Sequence, residues 1–513
     1  MKRGLLTLIA IALFQLSASI AQDFDITVES IYEAPQNTQM KHVKSAIDSK
    51  GNLHTVFLDG AHGFAYYATN SSGSWKFEKL TYFDEGYNET VEISSFPNIA
   101  IDKNDNISIV MFGRYKEDLL YASGNVSGTG WEFTNAKKTS DLMKFRIFDE
   151  YADMCVDKNG GLHIYSCATI WDENNTEHWM SAVYFYKPAS GNWQMEMIMP
   201  GIANKISYAA DPSIATYGDK VYVTIGGDRD LHFGSKNISG GQWKIEKLVD
   251  YKGGMNTWKH HTSICVSPQG NPKFAYFEYD QESDNFGINI MSKDKCGTGE
   301  WIADQGIDGP EHKKRPAIAM DAHGKTYIAF GGKDLFLYTE TCECNQKWER
   351  LYHDANINTE YTDVVIDKQN NVHFFYTYEQ KVYHLKAEPK TSTEACNYRP
   401  SISFDGKTNV KPGEEWSTTI NASDPECDPV EIYSIIMPDG FDLIDHGNGS
   451  ATFKGYIEMP EGQTDGEVVL NVFCKDDKHP GSNGKNAGMA IKLKITAEGN
   501  EKGAVTYTNN CPK

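Results

Sequence analysis

Hydrophobic and polar positions follow one repeating pattern between His42 and Tyr378. Each unit has a short apolar run, a polar turn resembling Asp-x-x-Gly-Asn, a second apolar run and a Tyr- or Leu-rich segment. Two apolar runs around a tight turn predict a β-hairpin, and Gly or Asn at the fourth turn position supplies the positive φ that such a turn needs. The seven turns are Asp48–Asn52, Asp102–Asn106, Asp157–Gly161, Thr216–Lys220, Ser267–Asn271, Asp321–Lys325 and Asp367–Asn371.

A tryptophan corner follows the hairpin in the first six units. Each corner places Trp after Gly or polar residues, and a further strand begins there. A period of about 46 to 60 residues with several short strands per unit is typical of a β-propeller, in which each unit forms one blade. We expect the repeated tryptophans to be largely buried between blades. They are Trp75, Trp131, Trp193, Trp243, Trp301 and Trp348.

The seventh unit ends after three strands and has no Trp corner. The segment Ile26–Glu33 has the sequence character of the missing outer strand. We therefore predict an all-β fold: a seven-bladed β-propeller, followed by a β-sandwich. The N-terminal strand should pair with the strand around Val382–Leu385, which closes the ring and removes an exposed sheet edge.

Five segments are predicted along the chain. Residues 1–21 have the features of a secretory signal peptide, with Lys2 and Arg3 before an apolar run from Leu5 to Leu16. The propeller spans 22–387, a polar linker 388–399, the β-sandwich 400–498 and a tail 499–513. No later segment has the roughly 20 apolar residues that a membrane span requires. We therefore expect a secreted protein, extracellular, periplasmic or on the cell surface.

Charge and cysteine content narrow the possible partners. The formal charge of −21 argues against binding to nucleic acid or to anionic membranes. Ten cysteines in an exported chain predict disulfides, with Cys427 and Cys474 as the preferred pair in the C-terminal part. Eight Asn-x-Ser/Thr sequons would make the protein a glycoprotein in a eukaryotic secretory pathway.

The C-terminal part resembles a known type of secreted module. The Asn421–Val430 loop, the Met437–Phe441 turn and the Cys474–Asp477 segment resemble cadherin-like, dystroglycan-type immunoglobulin modules. In such modules Asp-rich loops bind calcium, so the resemblance implies Ca²⁺, for which carboxylates are suitable hard ligands. Solvated acidic loops beside a disulfide are the alternative interpretation. The candidate ligands are Asp424, Glu426, Asp428, Asp476 and Asp477.

The ligand face of a propeller lies over the central channel, among the loops that enter the first strand and leave the second. Here these loops carry aromatic, His, Arg and Lys side chains, including His42 and Lys44 in unit 1 and Tyr361 in unit 7. Aromatic rings stack on sugar faces, and Arg or Lys pairs with uronate carboxylates, so we predict a glycan site. Ordinary loop residues that pack on neighbouring blades are the alternative. The candidate ligand-binding residues are Trp171, His178, Trp258, Arg114 and Tyr151.

The blade pattern resembles that of sialidase-like, BNR-type secreted propellers. Corners such as Asn70–Trp75 and Ser239–Trp243 nevertheless lack the internal Asp of the sialidase box Ser-x-Asp-x-Gly-x-x-Trp. Arg315-Pro316 only echoes the Phe-Arg-Ile-Pro motif of sialidases. The resemblance therefore implies the fold much more than the activity.

Two functions from different classes fit the sequence. The first is a secreted carbohydrate-binding or adhesion protein that recognises a glycan or polysaccharide, with a protein partner as a further option. The second is a polysaccharide lyase acting on uronate-containing chains, which needs a base for the C5 proton, an acid for the leaving oxygen and a cation for the carboxylate. A glycoside hydrolase is the other enzyme class left open. The candidate catalytic residues are His260 or His261 as base, Tyr279 as acid, and Arg229 or Arg315 as the neutralising cation.

Overall fold

A computed structural model gives the structure of the protein. It describes residues 24–35, 38–60, 63–84, 89–92, 97–112, 118–126, 130–138, 145–171, 178–198, 212–226, 230–250, 257–280, 285–293, 301–308, 314–341, 348–390, 400–424, 429–459, 463, 465–476, 486–499 and 501–508. All regular elements in these ranges are β-strands, so the predicted all-β class is confirmed.

The described residues up to Pro389 form seven four-stranded antiparallel sheets, here called blades 1 to 7. Blades 1 to 3 consist of β2 (Met40–Ile47), β3 (Leu53–Asp59), β4 (Phe64–Thr69) and β5 (Lys76–Lys79); β8 (Asn98–Ile101), β9 (Asn106–Phe112), β10 (Asp118–Asn125) and β11 (Glu132–Lys138); and β12 (Phe145–Val156), β13 (Leu162–Trp171), β14 (His178–Lys187) and β15 (Gln194–Met197). A separate hairpin between blades 1 and 2 pairs β6 (Thr81–Asp84) with β7 (Glu89–Glu92).

Blades 4 to 7 repeat the same up-and-down order. They consist of β16 (Ser213–Tyr217), β17 (Lys220–Gly226), β18 (Asp230–Asn237) and β19 (Lys244–Asp250); β20 (Thr257–Val266), β21 (Pro272–Asp280), β22 (Asn285–Lys293) and β23 (Trp301–Asp308); β24 (Lys314–Met320), β25 (Thr326–Gly331), β26 (Leu335–Glu340) and β27 (Trp348–Asp354); and β28 (Thr362–Ile366), β29 (Val372–Tyr378) and β30 (Lys381–Pro389) with β1 (Phe24–Glu33).

The blades are joined into a closed ring through their first strands. β2 contacts β8, and the contacts continue in order through β12, β16, β20, β24 and β28 back to β2. β1 pairs antiparallel with β30 from Phe24 opposite Pro389 to Glu33 opposite Lys381. This is the pairing that the three-stranded last repeat predicts. It also carries β30 two residues past the predicted domain end at 387, because Phe24 still pairs there.

Five of the seven repeated turns owe their shape to the Asp that begins them. In the first turn Asp48 Oδ1 accepts the amides of Lys50 at 2.9 Å and Asn52 at 2.8 Å. Gly51, at the fourth position, has φ 86°, a conformation that glycine adopts without steric cost. The same carboxylate geometry recurs at Asp102, Asp157, Asp321 and Asp367. The sequence signature of the turn is therefore a local hydrogen-bonding requirement.

The repeated tryptophans link neighbouring blades through a hydrogen bond. In four of them the indole Nε1–H donates to a Glu on the outer strand of the preceding blade, and that Glu stands three residues after the Trp position of its own blade. The pairs are Trp75–Glu29 at 3.1 Å, Trp131–Glu78 at 3.1 Å, Trp243–Glu196 at 2.9 Å and Trp301–Glu246 at 3.1 Å. These four rings are half-buried, whereas Trp348 is buried. The expectation of largely buried rings was thus too strong for the four, because the indole nitrogen must reach a surface carboxylate.

The C-terminal part is a two-sheet sandwich. One sheet has the order β31 (Ser401–Asp405), β33 (Glu415–Ser423), β36 (Ser450–Tyr456) and β35 (Phe441–Asp445). The other has β32 (Asn409–Val410), β38 (Asn486–Thr496), β37 (Asp465–Asp476) and β34 (Val430–Tyr433), with β39 (Ala504–Thr508) beside β38. Both sheets contribute to one core.

Two features of this domain bear on the sequence predictions. β39 falls inside the predicted tail, because Val505 packs on the core and its backbone pairs with the edge of β38. In the described part of the chain Cys155, Cys167, Cys265 and Cys474 are thiols. Cys474, the described member of the predicted Cys427–Cys474 pair, is therefore a thiol and not a disulfide sulfur in this structure, and Cys427 lies outside the described residues. The cadherin-like identity of the module stays a prediction.

Candidate functional site

A pocket lies where the first strands of the blades begin, around the entrance of the central channel. It contains about 510 Å³ of empty space, which includes open solvent. Residues from blades 1, 3, 5, 6 and 7 line it together with Pro212, which directly precedes β16 of blade 4. Its titratable lining residues are His42, Lys44, Asp153, His261, Arg315 and Tyr361.

The repeat explains why these side chains converge. His42, His261, Arg315 and Tyr361 each stand six residues before the polar residue that begins the turn of their blade. Structurally equivalent positions of successive blades face one another around the channel. In these four blades a pocket side chain is therefore supplied at one fixed place in the repeat.

The backbone at three of these positions is strained. His42, His261 and Arg315 have φ of 49°, 57° and 45°, in the left-handed region that non-glycine residues rarely occupy. Each stands at a break in the register between its strand and the next one in the blade. Bulges of this kind redirect a side chain, and strain of this kind is concentrated at functional sites.

Arg315, Tyr361 and His42 form a contact series along one wall of the pocket. The Arg315 guanidinium carbon lies 4.8 Å from the centroid of the Tyr361 ring, a cation–π contact. The His42 ring meets the same tyrosine edge-on, with the centroids 6.5 Å apart. His42 Nε2 lies 2.8 Å from the carbonyl oxygen of Pro97, which only accepts, so Nε2 carries a proton.

A belt of side chains below the pocket fixes the blades relative to one another. Side chains on the first strand of one blade accept amide N–H groups from the first strand of the next blade. Asp153, Ser263 and Asp363 stand four residues before their turns, and Ser213 stands three residues before its turn. The contacts are Ser45 to Asp363 at 2.7 Å, Ile214 to Asp153 at 2.9 Å, Ile264 to Ser213 at 3.0 Å and Ile318 to Ser263 at 3.1 Å. These four contacts link four pairs of neighbouring blades at the floor of the pocket.

Asp363 is the member of this belt with the most perturbed ionisation. The pKa of Asp363 is raised to about 6, mainly by burial and in smaller part by the charge of Asp153, while Lys44 and the Ser45 amide oppose the rise. Lys44 Nζ lies 3.5 Å from Asp363 Oδ1. The charge of the pocket floor therefore changes within the physiological pH range.

Two of the predicted catalytic residues, His261 and Arg315, line the pocket. His260 immediately precedes His261 in β20, and Trp258 pairs through its backbone with Tyr279 in β21. Trp171 and His178 pair at the end of the β13–β14 hairpin, and Tyr151 lies in β12. The side chains of these six residues, and Arg114 and Arg229 entirely, lie outside the described part of the structure. Their roles stay predictions.

Four residues of the pocket receive no role from the sequence. The sequence places His42, Lys44 and Tyr361 on the ligand face without distinguishing them from other loop residues. No motif marks Asp153. The signal that would find all four is their repeat position, six or four residues before the turn, compared across all seven blades.

Two of the predicted calcium ligands are described. Asp424 follows β33 and Asp476 ends β37, and both are buried in the sandwich. The negative charge of Asp424 contributes to the rise in the pKa of the Cys474 thiol to about 12, after burial, so these groups are neighbours. Glu426, Asp428 and Asp477 lie outside the described residues. Within the ranges that the structure covers, no group of three or more His, Cys, Asp or Glu side chains is arranged for a metal ion.

Comparisons with known proteins return structures but no family. No family model matches the chain, and no curated protein matches it. A PL25 ulvan lyase has a TM-score of 0.46 and 10% identity over 70% of this chain and 95% of its own. A protein of unknown function from Dyadobacter fermentans has a TM-score of 0.44 and 11% identity over 72% and 100%. A leech intramolecular trans-sialidase has a TM-score of 0.37 and 10% identity over 67% and 83%. Likenesses at this level say nothing about activity.

None of the described residues forms a helix long and apolar enough to cross a membrane.

Proposed function

We propose that this is a secreted protein that binds an anionic glycan, of the uronate-containing class, at the channel entrance. The observation that carries the proposal is the Arg315 guanidinium held over the Tyr361 ring in a pocket that also contains Lys44 and two histidines. The tyrosine provides an apolar ring face, and the guanidinium provides paired donors for a carboxylate. The combination fits an acidic sugar better than a neutral one.

The charge distribution supports the same class of ligand. The chain as a whole is strongly acidic, so a pocket with Arg, Lys and His side chains is a local concentration of positive charge. The two nearby carboxylates, Asp153 and Asp363, are engaged by the inter-blade amides of the belt. Opposite charge in a concave site both attracts and orients an anionic ligand.

Replacing Arg315 with Gln should weaken binding of oligogalacturonate, measured by isothermal titration calorimetry, by about tenfold or more, since a charged hydrogen-bonding partner contributes roughly 1.5 to 3 kcal/mol. Arg350→Gln is the matched control, because Arg350 is exposed on the outer strand of the same blade. Equal affinities of wild type and Arg315→Gln, or equal losses in both variants, would contradict the proposal.

A second candidate, β-elimination of the bound uronate chain, is favoured by one observation. A histidine, a tyrosine and an arginine, His261, Tyr361 and Arg315, line a single pocket, with His42 as a second histidine. A histidine would take the C5 proton, a tyrosine would protonate the leaving O4, and Arg315 would neutralise the carboxylate.

Incubation with polygalacturonate and alginate, followed by measurement of the ultraviolet absorbance of unsaturated uronate, separates a lyase from a binding protein. Binding without product supports the first function alone.

For the sandwich we propose a calcium site that includes Asp424 and Asp476. Both carboxylates are buried, Asp424 lies near the Cys474 thiol two residues before Asp476, and carboxylate oxygens are the ligand type that Ca²⁺ prefers. Calcium should raise the melting temperature of the sandwich relative to chelator, and Asp476→Asn should remove that rise. Magnesium at the same concentration serves as the control ion. Identical melts in calcium and in chelator would count against the site.

A further inference from the structure

Lys44 and Asp363 meet where the inter-blade belt touches the pocket lining. Lys44 lines the pocket, while Asp363 approaches it from below on blade 7. Their charged atoms are 3.5 Å apart, and the side chains are 29% and 10% exposed. The amide of Ser45 donates to the other Asp363 oxygen at 2.7 Å, so Asp363 engages two successive residues of β2.

Asp153 is the informative comparison, because it occupies the same repeat position in blade 3. Three neutral donors contact its carboxylate: Asn98 Nδ2 at 3.0 Å, Ser213 Oγ at 3.2 Å and the Ile214 amide at 2.9 Å. Unlike Asp363, it is itself part of the pocket lining. Both carboxylates therefore link neighbouring blades through an amide hydrogen bond. Asp363 also forms an ion pair with a lysine of the pocket.

We propose that Asp363 sets the affinity of the pocket for anionic ligands by competing with them for the ammonium group of Lys44. This inference rests on the proposed anion-binding function. With Asp363 ionised, Lys44 is attracted toward blade 7, and a ligand carboxylate must displace that contact. With Asp363 neutral, the attraction disappears and the Lys44 ammonium pairs with the ligand.

Other charged groups share the pocket and must be separated from this effect. His42, His261, Arg315, Tyr361 and Asp153 all face the same space. Burial raises the pKa of Asp363 to about 6, so its charge changes between pH 7.5 and pH 5. Histidine side chains ordinarily titrate in that range as well. A pH profile of the wild type alone is therefore insufficient, and a fixed-charge variant is needed.

The variant Asp363→Asn removes the charge and keeps an oxygen for the Ser45 amide. At pH 7.5 it should bind oligogalacturonate about three- to fivefold more tightly than wild type in calorimetry, the range expected for a partly exposed ion pair. Without Lys44 this gain in affinity should vanish, so Lys44→Met/Asp363→Asn should bind no more tightly than Lys44→Met. Asp153→Asn is the matched control: it removes a carboxylate closer to the ligand, so a general charge effect would be at least as large there.

Two results overturn the inference while leaving the proposed function intact: a gain in Asp363→Asn that persists without Lys44, or an equal or larger gain in Asp153→Asn. If neither the wild type nor any variant binds oligogalacturonate, the proposed function fails. The interaction between Lys44 and Asp363 is then tested without ligand. A double-mutant cycle of Lys44→Met and Asp363→Asn in thermal unfolding should then show coupling at pH 7.5 that is lost at pH 5. Absence of coupling at pH 7.5 refutes the competition regardless of ligand.

Discussion

A chain that begins at Ala34, and so lacks β1, is expected to melt about 5 °C or more below the intact protein. β1 pairs with β30 along nearly its whole length, and it buries Phe24 and Ile31. Burial of each such side chain contributes roughly 1.5 to 3 kcal/mol. In a domain of this size, a loss of several kcal/mol corresponds to a fall in melting temperature of that order.

The loss should exceed what two buried side chains account for, because β1 also joins blade 7 to blade 1. Glu29 accepts from Trp75 of blade 1 at 3.1 Å and lies 2.9 Å from His384 Nδ1 of β30. His384 in turn contacts His373 at 3.0 Å, and His373 contacts the turn carboxylate of Asp367 at 3.2 Å. Removing β1 breaks this series of hydrogen bonds and leaves the edge of β30 exposed.

A synthetic peptide with the sequence of β1 provides the decisive control. Added to the truncated protein, it should restore part of the lost melting temperature, since strand addition to an open edge uses the same main-chain hydrogen bonds. Glu29→Ala and Glu78→Ala form a matched pair, because Glu78 makes the same contact with Trp131 away from the closure. A melting temperature unchanged by truncation would show that the ring does not depend on β1.

The fold could be predicted from the sequence because its determinants are local and repeated. The turn carboxylates act within five residues, as at Asp48, and the period reveals one blade per unit. The closure was predictable for the same reason, since one repeat lacked a strand and one segment remained to supply it. The Trp–Glu contacts were not, because they join positions about 50 residues apart, as in Trp131 and Glu78.

The site was only partly predictable, for a different physical reason. Residue type and repeat position identified His261 and Arg315, but the side chains that reach the pocket are selected by backbone bulges at single positions. His42, His261 and Arg315 are not all of one residue type, and none of them is a glycine, the residue that would suggest a positive φ. The importance of Asp363 depends on burial and on Lys44, which a sequence pattern does not report.

The second large effect that we expect is a loss of stability when a buried ion pair between blades 5 and 6 is broken. Lys273 Nζ lies 2.9 Å from Glu340 Oε2 and donates to Thr326 Oγ1 at 3.0 Å. Lys273 and Glu340 are 8% and 5% exposed, and the ammonium lies 5.9 Å from the Trp348 ring. Neither charge can turn to solvent if its partner is removed.

Glu340→Leu should therefore destabilise the propeller by about 3 to 5 kcal/mol, because it leaves the ammonium of Lys273 buried without its counter-charge. The double variant Lys273→Met/Glu340→Leu should recover most of this loss, since an apolar pair of similar volume needs no desolvation of charge. Chemical denaturation of both variants measures the difference. Glu388→Ala is the control, because its pair with Lys386 is exposed and worth at most about 1 kcal/mol. If the double variant were as unstable as Glu340→Leu, the cost would come from lost packing and hydrogen bonds, and the charge argument would be refuted.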